Sequence, residues 1–107
     1  MEIRLRSVEN HLREKCKDPR FRELFEMESE KAKVAALIVR YRADHHLSQS
    51  ELAHRVGVTQ QQISKIEEGD FSNLSTIQKV LLAVGHRIEI HTVPLDPRTR
   101  RIFQKAA

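Results

Sequence analysis

The chain has 107 residues, of which 39% are hydrophobic and 32% are charged, with three Gly and three Pro. This length suits one compact domain with terminal extensions, because a second domain would lack a core of its own. The composition favours a small, helix-rich globular protein over a disordered chain. The single cysteine, Cys16, excludes an intramolecular disulfide and a zinc site built on paired thiolates.

The net charge of +4 is unevenly distributed along the chain. Residues 1–30 hold seven Lys and Arg against eight Asp and Glu, residues 31–70 hold six against five, and residues 71–107 hold six against two. A basic excess suits an acidic partner such as nucleic acid, although many proteins that bind none share it. No apolar run reaches the roughly 18–20 residues needed to cross a bilayer and no signal peptide is recognisable, so we expect a soluble, cytoplasmic protein.

Two helices are predicted in the N-terminal part of the chain. The first is indicated by apolar residues at helical spacing, namely Leu5, Val8, Leu12 and Cys16. Asp18-Pro19 ends this helix, because proline disfavours helical geometry in the residue before it. Pro19 itself suits the first turn of a helix, and apolar residues again recur at helical spacing beyond it. This predicts one long helix from about Pro19 to Asp44.

Three further helices are predicted from their first turns. In each, a side-chain oxygen at the cap is followed three residues later by a Glu or Gln that can reach back to the cap. The pairs are Ser48 with Glu51, Thr59 with Gln62, and Ser75 with Gln78. Each pair opens an apolar-periodic stretch, and the last helix ends at Gly85.

After Gly85 apolar and polar residues alternate, with Ile88 and Ile90 on one face, until Pro94 stops the pattern. This predicts one β-strand over residues 86–94. A lone strand needs a partner, and the candidates are the same strand of a second subunit, a strand edge on another protein, or the alternating residues 1–6. The remaining residues are expected to form a flexible tail that contains four cations: Arg98, Arg100, Arg101 and Lys105.

The most informative run extends from Ser48 to Gly69. Its first helix has an inner face formed by Leu52, Ala53 and Val56. Gly57 follows, where a helix that ends in left-handed geometry favours a residue without a Cβ. Its second helix, from about Gln60 to Glu68, has Ile63 and Ile66 on its inner face. The outer face of that second helix then consists of Gln60, Gln61, Ser64, Lys65 and Glu68.

This outer face begins with two amides, each of which carries a hydrogen-bond donor and an acceptor. A glutamine can pair bidentately with N6 and N7 of adenine, a contact worth about 1–3 kcal/mol of discrimination. Since the first residues of a recognition helix enter the major groove, Gln60 and Gln61 are the predicted base readers. Lys65 can reach a guanine or a phosphate, or stay solvated, and Gln49 is better placed to hold a phosphate.

The run from Ser48 to Gly69 resembles the helix-turn-helix of the lambda-type phage repressors and the Xre family. In that family a Gln opens the first helix, Leu-Ala lies in its middle, Gly-Val forms the turn, and Ile-Ser-x-Ile-Glu-x-Gly closes the recognition helix, as they do here. The resemblance implies that Gln49 contacts phosphate, that Gln60, Gln61 and Lys65 contact bases, and that Glu67 is buried. The full candidate DNA-binding set is Gln49, Thr59, Gln60, Gln61, Ser64 and Lys65.

One residue departs from the family pattern. His46 follows the long helix at a position where the family usually has Gly, so left-handed backbone there would carry strain. Together, the helix-turn-helix and the lone strand predict a homodimer on a pseudo-palindromic operator, with recognition helices about 34 Å apart.

The flanking segments are similar to those of HigA-type antitoxins. The similarity rests on residues 17–22 with Phe25-Glu26, and on residues 85–90 after the motif. Members of that family neutralise a RelE-like, ribosome-dependent mRNA-cleaving toxin and repress their own operon, so the resemblance implies such a toxin as partner. A stand-alone regulator without a toxin is the alternative. The candidate partner-binding residues, for which packing inside the protein is an equal alternative, are Leu12, Phe21, Leu24 and Phe25.

The predicted architecture is mostly α: a five-helix, lambda-repressor-like helix-turn-helix domain with an extended N-terminal helical segment and one C-terminal β-strand. The segments are residues 1–30 (helical extension), 31–85 (DNA-binding domain), 86–94 (strand) and 95–107 (basic tail). No glycine-rich phosphate loop and no Ser/His/Asp or Cys/His framework is present, so the chain is not predicted to be an enzyme. The histidines lack partners at ligand spacing, so no metal or cofactor is predicted.

Overall fold

A computed structural model describes residues 2–71 and 73–104 of the chain. Within these ranges the helices are α1 (Glu2–Lys15), α2 (Pro19–Asp44), α3 (Gln49–Val56), α4 (Gln60–Glu67), α5 (Leu74–Ala83) and α6 (Pro97–Phe103). They belong to two compact units, a larger one of residues 28–90 and a smaller one that combines the chain up to residue 27 with the chain from residue 91. None of the described helices is both long and apolar enough to cross a membrane.

The larger unit is built around a hydrophobic core to which α2, α3, α4 and α5 contribute. Its completely buried side chains include Ile38 of α2 and Ile63 of α4. Further buried members are Leu47, Leu52, Ala53, Val56, Ile66, Ile77, Val80, Leu81 and Val84. Full burial of one such aliphatic side chain contributes about 1.5–3 kcal/mol. The inner faces predicted for α3 and α4 are therefore confirmed.

Two of the predicted helix starts are confirmed atom by atom. The hydroxyl of Ser48 accepts a hydrogen bond from the Glu51 N–H at 3.0 Å, and Glu51 Oε1 accepts one from the Ser48 N–H at 3.0 Å. Thr59 and Gln62 exchange the same pair of bonds, at 2.9 and 3.0 Å. These reciprocal bonds satisfy backbone donors in the first turn of each helix, which fixes where α3 and α4 begin.

The predicted capping pair of Ser75 with Gln78 is wrong. The cap of α5 is Asn73, whose Oδ1 accepts hydrogen bonds from the N–H groups of Ser75 and Thr76 at 3.0 and 3.3 Å. Gln78 is thereby left for a different bond: its Oε1 accepts the N–H of Ile88 at 2.9 Å. An asparagine is at least as good a cap as a serine, and the helix begins at the earlier of the two.

The predicted β-strand over residues 86–94 is wrong, since none of the described residues is part of a strand. Ile88 packs against the core of the larger unit and bonds to Gln78, whereas Ile90 is 67% exposed. Residues 2–6, which the sequence offered as a partner, belong to α1. The alternating pattern therefore places one isoleucine beside α5, and residues 2–71 and 73–104 offer no strand with which this segment could form a ladder.

The smaller unit contains α6, a helix in the segment predicted to be a flexible tail. Asp96 caps it: Oδ1 accepts the Thr99 N–H at 2.9 Å and Oδ2 accepts the Thr99 hydroxyl at 2.8 Å, while Pro97 occupies the first turn. The backbone bond from Thr99 holds the pKa of Asp96 below its usual value. The predicted count of five helices is thus wrong, although the described residues are mostly helical. Met1 and Lys105 lie outside the described residues.

The expected strain at His46 is present, because its φ angle is 54°. At this end of α2 the His46 N–H donates to the Ala43 carbonyl at 3.3 Å and the Leu47 N–H donates to the Arg42 carbonyl at 2.9 Å. This pair of bonds is the pattern of a helix end whose next residue is left-handed. A residue with a Cβ is disfavoured there by roughly 1–2 kcal/mol.

We expect His46→Gly to raise the free energy of unfolding by about 0.5–1 kcal/mol, since relief of the strain exceeds the entropy that glycine adds to the unfolded chain. Urea unfolding of the variant and the wild type measures the difference. The neighbouring His45→Gly is the control with the opposite sign, because the His45 ring stacks on Tyr41 with a centroid separation of 4.0 Å. A lower midpoint for His46→Gly would contradict the account of strain.

Candidate nucleic-acid interface

α4 has a buried face and a polar face. Ile63 and Ile66 anchor it, with 0% and 2% of their surfaces exposed. On the other side, the side chains of Gln60, Gln61 and Lys65 are exposed. Of the remaining candidates, Ser64 is half-buried, and Thr59 is exposed with its hydroxyl in the cap of α4. The helix is thus held by its isoleucines and presents the two amides at its first turn.

A series of hydrogen-bonded side chains holds the amide of Gln60. Gln60 Nε2 donates to Gln49 Oε1 at 3.0 Å, and Gln49 Nε2 donates to Glu67 Oε1 at 3.1 Å. Arg42 Nη2 donates to the same Glu67 oxygen at 2.7 Å, while Arg42 Nε donates to the other oxygen. α2, α3 and α4 therefore each contribute to the position of one predicted base reader.

The ion pair at the base of this series is largely removed from water. The side chain of Glu67 is 8% exposed and that of Arg42 is 20% exposed. Burial raises the pKa of Glu67, but the hydrogen bonds from Arg42 and Gln49 outweigh it and hold the pKa below its usual value. The hydrogen bond between Arg42 and Glu67 also raises the pKa of Arg42. Both groups are therefore charged at neutral pH, which is the condition for the bidentate bond.

Arg42 also organises the connection between α2 and α3. Its Nη1 donates to the carbonyl of Leu47 at 3.0 Å, close to Ser48, the cap of α3. Sequence reasoning missed Arg42. The available signal was its place four residues after Ile38, next to the apolar stripe of α2, together with the implied burial of Glu67. Buried charges are paired, so a buried Glu67 required a cation nearby.

Gln49 contacts other side chains of the protein in the structure, whereas the sequence predicts that it contacts a phosphate. Its side chain is half-buried, and its amide both donates to Glu67 and accepts from Gln60. In the free protein Gln49 therefore orients Gln60. Contact of Gln49 with a phosphate, and of Gln60, Gln61 and Lys65 with bases, stay predictions.

Comparison with known proteins agrees with this geometry. Residues 38–85 match the family model described as Helix-turn-helix. The matched range holds the last turns of α2 and all of α3, α4 and α5. The match supports an Xre-type helix-turn-helix and, with it, a DNA-binding regulator of transcription. A search among curated proteins gives no significant match.

Proposed function

We propose that the protein is a sequence-specific repressor that binds a pseudo-palindromic operator as a homodimer and also acts as the antitoxin of a type II toxin-antitoxin module. The observation that carries the DNA-binding part is the exposed first turn of α4, where Gln60 is held by Gln49 above a buried ion pair. Such prior orientation of a polar side chain lowers the entropy lost on binding and favours one base over the others.

The smaller unit supports the antitoxin part. Among the side chains of residues 7–27 and 91–104, no hydrophobic one is buried. Leu24 is 63% exposed, and Phe25 is 37% exposed although its ring stacks on that of Phe21 at 5.9 Å. Leu12, the fourth candidate, is half-buried. Exposed apolar side chains such as Leu24 and Phe25 are a feature of protein-binding surfaces, and we assign them to contact with a small, basic, RelE-like ribonuclease.

Apolar side chains on the larger unit support the homodimer. Leu74 and Leu82 of α5 are 53% and 57% exposed, and Ile90 is 67% exposed. A second copy that covered them would remove this apolar surface from water, and a dimer on a pseudo-palindromic operator requires two recognition helices about 34 Å apart. Sedimentation at several protein concentrations, with and without operator DNA, tests this part.

The adjacent reading frame tests the antitoxin part. If the module is complete, a neighbouring gene encodes a RelE-like protein of roughly 90–120 residues, a size typical of one small domain. Induction of that gene alone should arrest growth, and co-expression with this chain should restore it. Leu24→Asp with Phe25→Asp should abolish the rescue but retain operator binding, because these residues lie outside the helix-turn-helix range.

A failure of rescue, with operator binding retained, would leave a stand-alone Xre-type regulator. A failure of the wild-type protein to prefer its own promoter over random DNA would contradict the repressor itself.

A further inference from the structure

Lys79 of α5 reaches across to the turn that joins α3 and α4. Its Nζ donates to the carbonyl oxygen of Gly57 at 3.1 Å. The same atom lies 3.4 Å from the point that a Cβ on Gly57 would occupy. The lysine side chain therefore lies over this turn, three residues before the predicted base reader Gln60.

The turn between α3 and α4 is fixed by hydrogen bonds from two of its N–H groups and to one of its carbonyls. The N–H groups of Gly57 and Val58 both donate to the Ala53 carbonyl, at 2.8 and 3.0 Å, and Gly57 has a left-handed φ of 84°. The Gly57 carbonyl accepts a hydrogen bond from the ammonium of Lys79. A cation also interacts favourably with the carbonyl end of a helix, here α3.

We propose that Lys79 is a positioning residue for DNA recognition: it fixes the turn between α3 and α4, and thereby the angle at which α4 enters the major groove. The inference rests on the proposed DNA-binding function. The alternative is a surface lysine that neutralises a phosphate. Since an ammonium has three donors, its bond to the Gly57 carbonyl is compatible with either role, and experiment separates the two.

The two roles predict different dependences on salt. A lysine that neutralises one phosphate releases counterions, so its loss reduces the slope of log affinity against log salt by about 0.9 and weakens all sequences alike. A positioning lysine leaves that slope unchanged, and its loss weakens operator binding more than random binding.

The test compares Lys79→Met, which keeps the aliphatic stem, with Lys79→Arg, which keeps a donor. Lys33→Met is the control for net charge, since Lys33 is a 72% exposed lysine that pairs with Glu30 within α2. We expect Lys79→Met to lower operator affinity about three- to tenfold, the range for one hydrogen bond, with an unchanged salt slope. Lys79→Arg should retain most of the wild-type operator affinity. Lys33→Met should leave the ratio of operator affinity to random-DNA affinity unchanged.

A second readout does not depend on DNA. In an NMR spectrum of the free protein, Lys79→Met should shift the amide signals of Gly57, Val58 and Thr59, and Lys33→Met should leave them in place. Unchanged turn signals, an unchanged operator affinity, or a lower salt slope with equal weakening on random DNA would each overturn the positioning role. A wild-type protein without operator preference would instead contradict the proposed function, and the NMR comparison would still decide whether Lys79 fixes the turn.

Discussion

Replacement of Gln60 and Gln61 together by alanine is expected to lower the ratio of operator affinity to random-DNA affinity by at least about 30-fold, if each amide contributes about 1 kcal/mol of discrimination. The loss should fall on specificity, because random binding depends on phosphate contacts that neither amide supplies. The fold should survive, since both side chains are exposed and the helix is anchored by Ile63 and Ile66. Fluorescence anisotropy with operator and random duplexes, at one fixed salt concentration, measures the ratio.

Gln104→Ala is the matched control, because it removes an exposed amide beyond the last residue of α6. It should leave both affinities as they are. If the double variant of Gln60 and Gln61 keeps the wild-type ratio while circular dichroism shows an intact fold, the assignment of these two residues as base readers is wrong.

Glu67→Gln is expected to lower the free energy of unfolding by about 2–3 kcal/mol, somewhat less than for a fully buried pair because Arg42 is 20% exposed. The substitution preserves shape but leaves the guanidinium of Arg42 without its counter-charge. It also converts one of the two carboxylate oxygens, both of which accept from Arg42, into an NH2 group that cannot accept. Chemical unfolding at pH 7 measures the loss, and operator specificity should fall with it because Gln60 loses its support.

The neighbouring carboxylate Glu68 supplies the control, since it is exposed and Glu68→Gln should change stability by less than about 0.5 kcal/mol.

The pH dependence of stability supplies a second comparison between the wild type and Glu67→Gln. Because the folded pKa of Glu67 is depressed, its stabilisation is complete above the unfolded value near 4.3 and is lost as the pH falls through the folded pKa. The stability gap between wild type and Glu67→Gln should therefore narrow below about pH 4, and a gap that is constant down to pH 2 would contradict the ion pair.

The sequence by itself determined the elements whose signals are local. α2 begins at Pro19 and ends at Asp44, as predicted, because proline suits a first turn and apolar spacing resumes after the charged stretch of residues 26–33. α3 and α4 begin where their capping pairs lie. The helix-turn-helix, with its buried isoleucines and its outward glutamines, follows from these local rules combined with the 3.6-residue period.

Two helix starts are marked in the sequence by signals that other features of the same segment oppose. Asp96-Pro97 followed by Thr99 is a helix start, yet the segment has few apolar residues, a composition that favours a tail. Asn73 and Ser75 are both residue types that cap helices, so the sequence leaves two starts for α5, and the structure uses Asn73.

Only the tertiary structure decided the features that join distant residues. Residues 86–94 alternate as a strand does, but a ladder requires a second strand, and docking of Ile88 beside Gln78 replaced it. The pairing of Arg42 with Glu67 across 25 positions, and of Lys79 with Gly57 across 22, depends on how the helices cross. Sequence spacing fixes the face of a helix on which a side chain lies, whereas the side chain that it meets is set by packing between helices.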